Sequence, residues 1–434
     1  MKRVLIITYY WVPSGGSGVQ RWVKFSKYLR DFGWEPIIYT PENPEYPVID
    51  ASFEKEIPEG VRVIKTPIWE PYNVYRNLLG KKGQTINAGF ITENRKAGWK
   101  ERLSIWIRGN FLIPDPRRFW IGPSVRYLNE FLQENPVDAI VSTGPPHSMH
   151  LIAEGVKKQF PFIPWIADFR DPWTQISYYK DLRLTAWADR KHHRFERRVL
   201  SNADTVLVVS DDMKREFVAK AETPVVVIPN GFDHEDISAE PVVMDKHFTL
   251  SHIGTLTAAQ NPVVLWKALS QLCGENDDFA NDLFIQLVGK VDFSVFESID
   301  NAGLNQKLVR IDYLNHKEAV LKQQTSQVLL LLINNTPNAG AIITGKLFEY
   351  MAVGRPVLGI GPVDGDAAKI LNDTSAGEMV DYNDIDTVKT IVMQYYQLYK
   401  QGKLSLSAKS VDHYSRRELT RTLTQTLNQL SNHA

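Results

Sequence analysis

Four stretches of the chain carry side chains suited to a polar, phosphate-bearing ligand. Gly15, Gly16, Ser17 and Gly18 follow a short apolar run and precede a helical pattern. Glycines there let backbone N–H groups approach a ligand, and a helix N-terminus favours an anion. No Gly-Lys-Ser/Thr follows, so this is not a Walker-type loop. The next apolar run ends in Tyr39-Thr40, without the acid of a dinucleotide fold. The second stretch is Thr143-Gly144-Pro145-Pro146-His147, which sets His147 at the carboxyl edge of a sheet. There it could meet a substrate hydroxyl or developing charge; the plainer alternative is that it caps the following helix. The third, Asp168-Phe169-Arg170-Asp171-Pro172-Trp173, occupies the same kind of edge. Asp168 is the candidate for substrate contact and Asp171 for shaping the loop. The fourth runs from Asn338 to Pro356. Gly340 and Ala341 form a small-residue loop. Thr344 and Gly345 open a helix whose N-terminus, with Lys346, attracts an anion. Glu349, inside that helix, is shaped to accept two hydrogen bonds from a ribose diol.

The elements that must position these groups follow from hydrophobic periodicity. Short apolar runs at 3–8, 36–40, 61–64, 139–142, 164–168, 205–209 and 225–229 lack alternation, as strands buried on both faces do. Helical patterns lie between them. One covers 19–32, with Val19, Trp22, Val23, Phe25 and Leu29 on one face and Gly33 as its stop. The alternation breaks in a polar stretch at 231–246. It resumes with strands at 248–254, 284–289, 309–313, 328–333, 357–360 and 378–380, and helices that include 262–272 and 345–353. The chain closes with a polar-faced helix over about 414–430. Strand–helix alternation on this scale implies parallel sheets covered on both faces. The expected organisation is a first domain over 1–230, a linker over 231–246, a second domain over 247–410 and a closing helix within 411–434.

Composition narrows the partners. The chain has 434 residues, with 50 Lys and Arg against 50 Asp and Glu. A net charge of zero removes any chain-wide electrostatic case for nucleic acid, and no reading motif is present. The single cysteine, Cys273, excludes an intrachain disulfide and a cysteine-based zinc site. No apolar stretch is long enough to span a bilayer and the N-terminal run is too short for a secretory signal, so a cytoplasmic location is expected. The segment 69–126 interrupts the first domain with eleven Lys and Arg, four acids, and Trp69, Trp99, Trp106 and Trp120. Basic residues interleaved with tryptophan suit anionic lipid head groups, on the inner face of a plasma membrane, or a phosphorylated acceptor. The plainer reading is an insertion folded against the first domain.

The motif Lys346-Leu347-Phe348-Glu349-Tyr350-Met351-Ala352-Val353-Gly354-Arg355-Pro356-Val357 resembles the nucleotide-binding signature of GT-B-fold glycosyltransferases, in particular the retaining family 4. Pro229-Asn230-Gly231-Phe232-Asp233, His252-Ile253-Gly254-Thr255, Gly15-Gly16 and Gly144-Pro145-Pro146-His147 match other parts of that pattern in order. The resemblance implies two Rossmann-like domains facing across a cleft, with the last helix crossing back to the first. It implies transfer of a sugar from a nucleoside diphosphate donor to a saccharide or lipid-linked acceptor, with retention and without metal or other cofactor. Glu349 would bind the ribose. Gly340, Ala341, Thr344, Gly345, Lys346, Gly254 and Thr255 would line the sugar and diphosphate. Gly15, Gly16, Ser17 and Gly18 would close over the phosphates or acceptor. His147 would stand near the anomeric carbon with Asp168, and Arg170 and Trp173 would lie on the acceptor side. Two features depart from the pattern. Ala341 stands where the family has an acid, and Thr255 and Gln260 stand where it has cations, with Lys346 or Arg355 as replacements. One alternative is a GT-B-type sugar-nucleotide epimerase; another, which the departures allow, is a catalytically silent nucleotide-sugar-binding or membrane-associated protein.

Overall fold

Strands form where the apolar runs lie. The computed structural model describes residues 1–46, 49–71, 99–176, 179–238, 241–405 and 410–433. The first sheet contains β1 (Lys2–Ile7), β2 (Trp34–Pro41), β3 (Arg62–Thr66), β4 (Ala139–Gly144), β5 (Trp165–Phe169), β6 (Thr205–Val208) and β7 (Val225–Val227). Its order is β3-β2-β1-β4-β5-β6-β7, and every pairing is parallel. Val4 to Ile7 and Val206 to Val208 are fully buried, because helices cover both faces. The register sets Thr143 beside Asp168 and Gly144 beside Phe169. The candidate loops after β4 and β5 therefore share one edge.

The second sheet contains β8 (Phe248–Ile253), β9 (Leu283–Val288), β10 (Leu308–Ile311), β11 (Val328–Leu332), β12 (Val357–Ile360) and β13 (Gly377–Val380). Its order is β10-β9-β8-β11-β12-β13, again parallel throughout. The chain divides into one unit of Met1–Pro229 with Arg416–Ala434, and a second of Asn230–Ser415. Phe232 is buried in the core of the second unit, so the polar stretch after Pro229 starts as part of that unit and not as free linker.

Several helix ends differ from the expected ones for local reasons. The first helix spans Ser17–Leu29, two residues earlier than its apolar face suggests, with Gly16 at φ 92° as its N-cap. Only glycine adopts that angle without strain. The final turn tightens into a 3-10 segment, Arg30–Phe32, and Gly33 closes it at φ 83°. The last helix spans Arg416–His433. Its Leu419, Leu423 and Leu427 enter the core formed by Val4, Trp22, Val23 and Trp34. Each such leucine contributes about 1.5–3 kcal/mol of burial. The Trp34 indole also donates to Asn428 Oδ1 at 3.2 Å.

The described part of the insertion folds against the first unit. Trp120 stacks on Tyr39 with centroids 5.0 Å apart and donates to Thr66 Oγ1 at 3.1 Å. Arg117 pairs with Glu70 at 3.0 Å, both nearly buried. The helix Trp99–Phe111 leaves Leu103, Ile107 and Phe111 exposed. Arg76, Lys81, Lys82, Arg95 and Lys96 lie outside the described residues. No helix among the described residues is long and apolar enough to cross a membrane.

Candidate active site

Asp168, at the end of β5, is fully buried. Its two oxygens accept from Arg21 Nη2 at 2.9 Å, Arg21 Nε at 3.2 Å, Trp22 Nε1 at 2.8 Å and Thr143 Oγ1 at 2.8 Å. Burial alone would raise its pKa, but the Arg21 charge and the donors hold the carboxyl below its usual value. Arg21 is also fully enclosed, and its Nη1 reaches Pro229 O at 2.9 Å. The expectation that Asp168 meets substrate is therefore corrected. Its lone pairs are saturated by groups from the first helix and β4, and it ties those elements to β5.

Arg170 is likewise engaged by backbone. Its guanidinium donates to Gly18 O at 2.8 Å, Gly144 O at 3.3 Å and Pro145 O. It thereby joins the glycine loop to the loop after β4, which corrects its assignment to the acceptor side. A Cβ at Gly18 would lie 2.6 Å from Arg170 Nη1, so glycine there admits the guanidinium. Gly15 and Gly16 precede the helix, and neither lines the cavity beside His147.

His147 sits at the N-cap of the helix Ser148–Gln159, but its side chain makes no capping bond. Asp115 supplies the cap instead, accepting from Ser148 N at 2.8 Å and Ser148 Oγ at 2.9 Å. The imidazole stacks on Trp173 at 4.5 Å and 4°. Its buried Nδ1 has no hydrogen-bond partner among the described residues. Burial, then His150, His192 and Arg170, hold its pKa well below the ordinary value, so the ring is neutral. His147 and Trp173 line a cavity of about 220 Å³ with Tyr10, Arg108, Tyr179 and His192. Trp173 Nε1 donates to His192 Nδ1 at 3.1 Å, which places the His192 proton on Nε2, facing Gly109 O. A neutral ring beside an aromatic wall can accept or steady a proton from a sugar hydroxyl.

In the second unit the helix Gly345–Ala352 has Thr344 as its N-cap, and the buried Thr344 hydroxyl has no partner among the described residues. It stops before Gly354, at φ 68°. Lys346 reaches back from its first turn to His252 Nε2 at 3.1 Å and Thr255 O at 3.3 Å. His252 faces Leu330 O with Nδ1 at 3.2 Å, so its proton lies there and Nε2 accepts from the lysine. Burial and the lysine charge bring the His252 pKa down to about 3. Burial lowers Lys346 to about 8, with Glu349 opposing. Gly254 has φ 117°, and a Cβ there would meet Lys346 Cε at 2.7 Å. The lysine therefore lies over a bare backbone, beside orphaned helix N–H groups. Glu349 is half-buried and, among the described residues, takes one hydrogen bond, from Gln323 Nε2 at 2.9 Å to Oε2. Gly340 and Ala341 form the turn Ala339–Ala341, packed closely on Gly365.

The remaining expectations in this unit resolve simply. Arg355 is buried and donates to Gln327 O at 3.0 Å and Gln327 Oε1 at 3.1 Å, leaving Lys346 as the replacement cation. Gln260 holds Thr257 and Leu332 through its amide. The helix Asp366–Thr374 starts after Gly365, its N-cap.

Residues 16–231 match the glycosyl transferase 4-like domain family. The first unit therefore carries a glycosyl transferase 4-like domain, and the protein is a glycosyltransferase. Among curated proteins no sequence matches it. Solved structures share its fold at low identity. Sucrose-phosphate synthase from Thermosynechococcus elongatus is 13% identical, with a TM-score of 0.62 and 100% of both chains covered. Anabaena HepE in complex with UDP-glucose is 13% identical, with a TM-score of 0.61, covering 99% of this chain and 100% of that one. WaaG, a glycosyltransferase involved in lipopolysaccharide biosynthesis, is 14% identical, with a TM-score of 0.52, covering 99% and 97%. The two parallel-sheet domains are thus those of the GT-B fold.

For this glycosyltransferase, sequence reading missed Arg21, Arg108, His192 and His252 as members of the two sites. Arg21 carried a signal: it lies between Val19 and Trp22 in a helix otherwise buried on that side. His192 and His252 meet their partners, and Arg108 reaches the cavity, only through the tertiary fold.

Proposed function

We propose that the enzyme holds a nucleoside diphosphate sugar in its second unit and transfers the sugar to an acceptor bound in the first. The observation that carries this reading is the Lys346 ammonium, 3.3 Å from the Thr255 carbonyl and over Gly254, at the start of an eight-residue helix. A cation and a helix N-terminus at one point suit a diphosphate. Glu349 Oε1, without a hydrogen bond among the described residues, is available for a ribose hydroxyl. In the reaction the bond from the anomeric carbon to the β-phosphate oxygen breaks, and the departing diphosphate takes the electron pair. An acceptor hydroxyl forms the new bond, and its proton passes to the departing phosphate. Lys346 and the helix N-terminus stabilise the charge on that phosphate without metal, and preorganised charge is commonly the largest catalytic contribution. Retention of configuration belongs to the same proposal.

The first unit supplies the acceptor cavity beside His147. Exposed Leu103, Ile107 and Phe111, close in sequence to Arg102, Arg117 and Arg118, suit peripheral contact with a membrane that presents a lipid-linked acceptor. A thermal-shift screen of UDP-, GDP- and ADP-sugars tests the donor class, because a bound ligand raises the melting temperature according to its occupancy. Stabilisation by at least one donor is expected; none by any of them contradicts the reading. Product analysis with and without added acceptor then separates transfer from epimerisation.

A further inference from the structure

Among the described residues, the cavity beside His147 contains one charge that no side chain answers. Asp115 lines it, but its oxygens already hold Ser148 N, Ser148 Oγ and Arg117 N. Arg117 faces Glu70. His147 and His192 are neutral, burial holding both below their ordinary pKa. Arg108 also lines the cavity, is half-buried, and has no ion pair or hydrogen bond from its guanidinium among the described residues.

Its position is fixed by its neighbours. A Cβ at Gly109 would lie 2.7 Å from Leu184 Cδ2 and 2.9 Å from Leu182 O, so the helix approaches that turn closely. Asn110 Oδ1 accepts from Thr185 N at 2.7 Å, and its Nδ2 donates to Trp106 O and Arg183 O. A guanidinium on so clamped a helix is preorganised, and its planar fork matches an oxyanion. The cavity volume of about 220 Å³ is below the roughly 300–1,000 Å³ of drug-sized clefts, so it takes one end of an acceptor.

We infer that this cavity selects an acceptor bearing a phosphoryl group, which Arg108 reads while the Trp173–His147 face packs against the attached carbon skeleton. The inference rests on the proposed acceptor role of the cavity. The phosphoryl group can belong to a sugar phosphate or to a lipid head group.

The test is calorimetry on the full chain with glucose 6-phosphate, glycerol 1-phosphate, glucose and inorganic phosphate, on wild type, Arg108→Gln and Arg108→Lys. A UDP-, GDP- or ADP-sugar that stabilises wild type is titrated in parallel. Glucose 6-phosphate or glycerol 1-phosphate should bind wild type about ten-fold or more tightly than glucose, the factor one charge-assisted hydrogen bond supplies. The tighter of the two names the source. Arg108→Gln should abolish the preference, Arg108→Lys should restore part of it, and donor affinity should be the same in all three. Equal binding of glucose, inorganic phosphate as tight as either ester, preference surviving in Arg108→Gln, or no binding of any probe overturns the inference. If donor binding persists in those cases the proposed function stands; if no donor binds, that reading fails separately.

Discussion

Replacing Asp168 by asparagine removes one charge from a fully enclosed cluster while keeping its shape. Arg21 would then face a neutral amide, with no water to compensate. Leaving one member of a buried pair alone costs about 3–5 kcal/mol. In a domain of this size each kcal/mol moves the melting temperature by about 2–4 °C, so a fall of about 6–20 °C is expected. The acid dependence gives a second signature. The folded-state pKa of Asp168 lies below its ordinary value, so its contribution to stability is present above about pH 4 and is lost as the pH falls through the folded pKa. The gap between wild type and Asp168→Asn should therefore be full at pH 7 and close progressively below about pH 4. Thermal unfolding followed by circular dichroism from pH 3 to 8 measures both. Equal melting temperatures at pH 7, with turnover abolished, would refute the structural assignment and return Asp168 to the reaction.

Two further outcomes follow from packing. Leu423→Ala, in the helix that closes the first unit, should cost about 2–5 kcal/mol in urea unfolding, because the leucine is fully buried; a change under about 0.5 kcal/mol would show that the helix does not share that core. Gly254→Ala should weaken donor binding, because its Cβ would displace Lys346 and its positive φ would add about 1–3 kcal/mol of strain. Calorimetry with UDP checks it, and unchanged affinity would remove Lys346 from the phosphate site.

Uninterrupted apolar runs such as Val4 to Ile7 were legible as doubly covered strands, since they are short, rich in β-branched residues and alternate with helical patterns. The stop at Gly354 before Pro356 was legible for the same local reason: the turn needs a positive φ that glycine supplies. The start of the first helix was misplaced by two residues, because Ser17 and Gly18 carry no apolar periodicity and only the Gly16 conformation marks the cap. What local reading could not supply was pairing. Asp168 resembled a ligand group because its partner Arg21 lies 147 residues earlier. Arg108 was one of eleven cations in its segment, and only the neutralisation of Arg117 by Glu70 singles it out. Lys346 was legible as a helix-start cation, but its seat on His252 joins residues 94 apart.

Donor binding rests most directly on Lys346 and Glu349. The measurement is calorimetric titration of the tightest-binding nucleotide sugar into wild type, Lys346→Met and Glu349→Gln, from pH 6.5 to 9. Loss of a charged hydrogen-bond donor removes about 1.5–3 kcal/mol, so Lys346→Met should bind about 10- to 150-fold more weakly. Glu349→Gln should also weaken binding, with melting temperature unchanged. Wild-type affinity should fall as the pH rises through about 8, where free Lys346 loses its proton, and Lys346→Met should lack that fall. Wild-type affinity in both variants, with the same pH profile, would contradict the placement of the donor in the second unit.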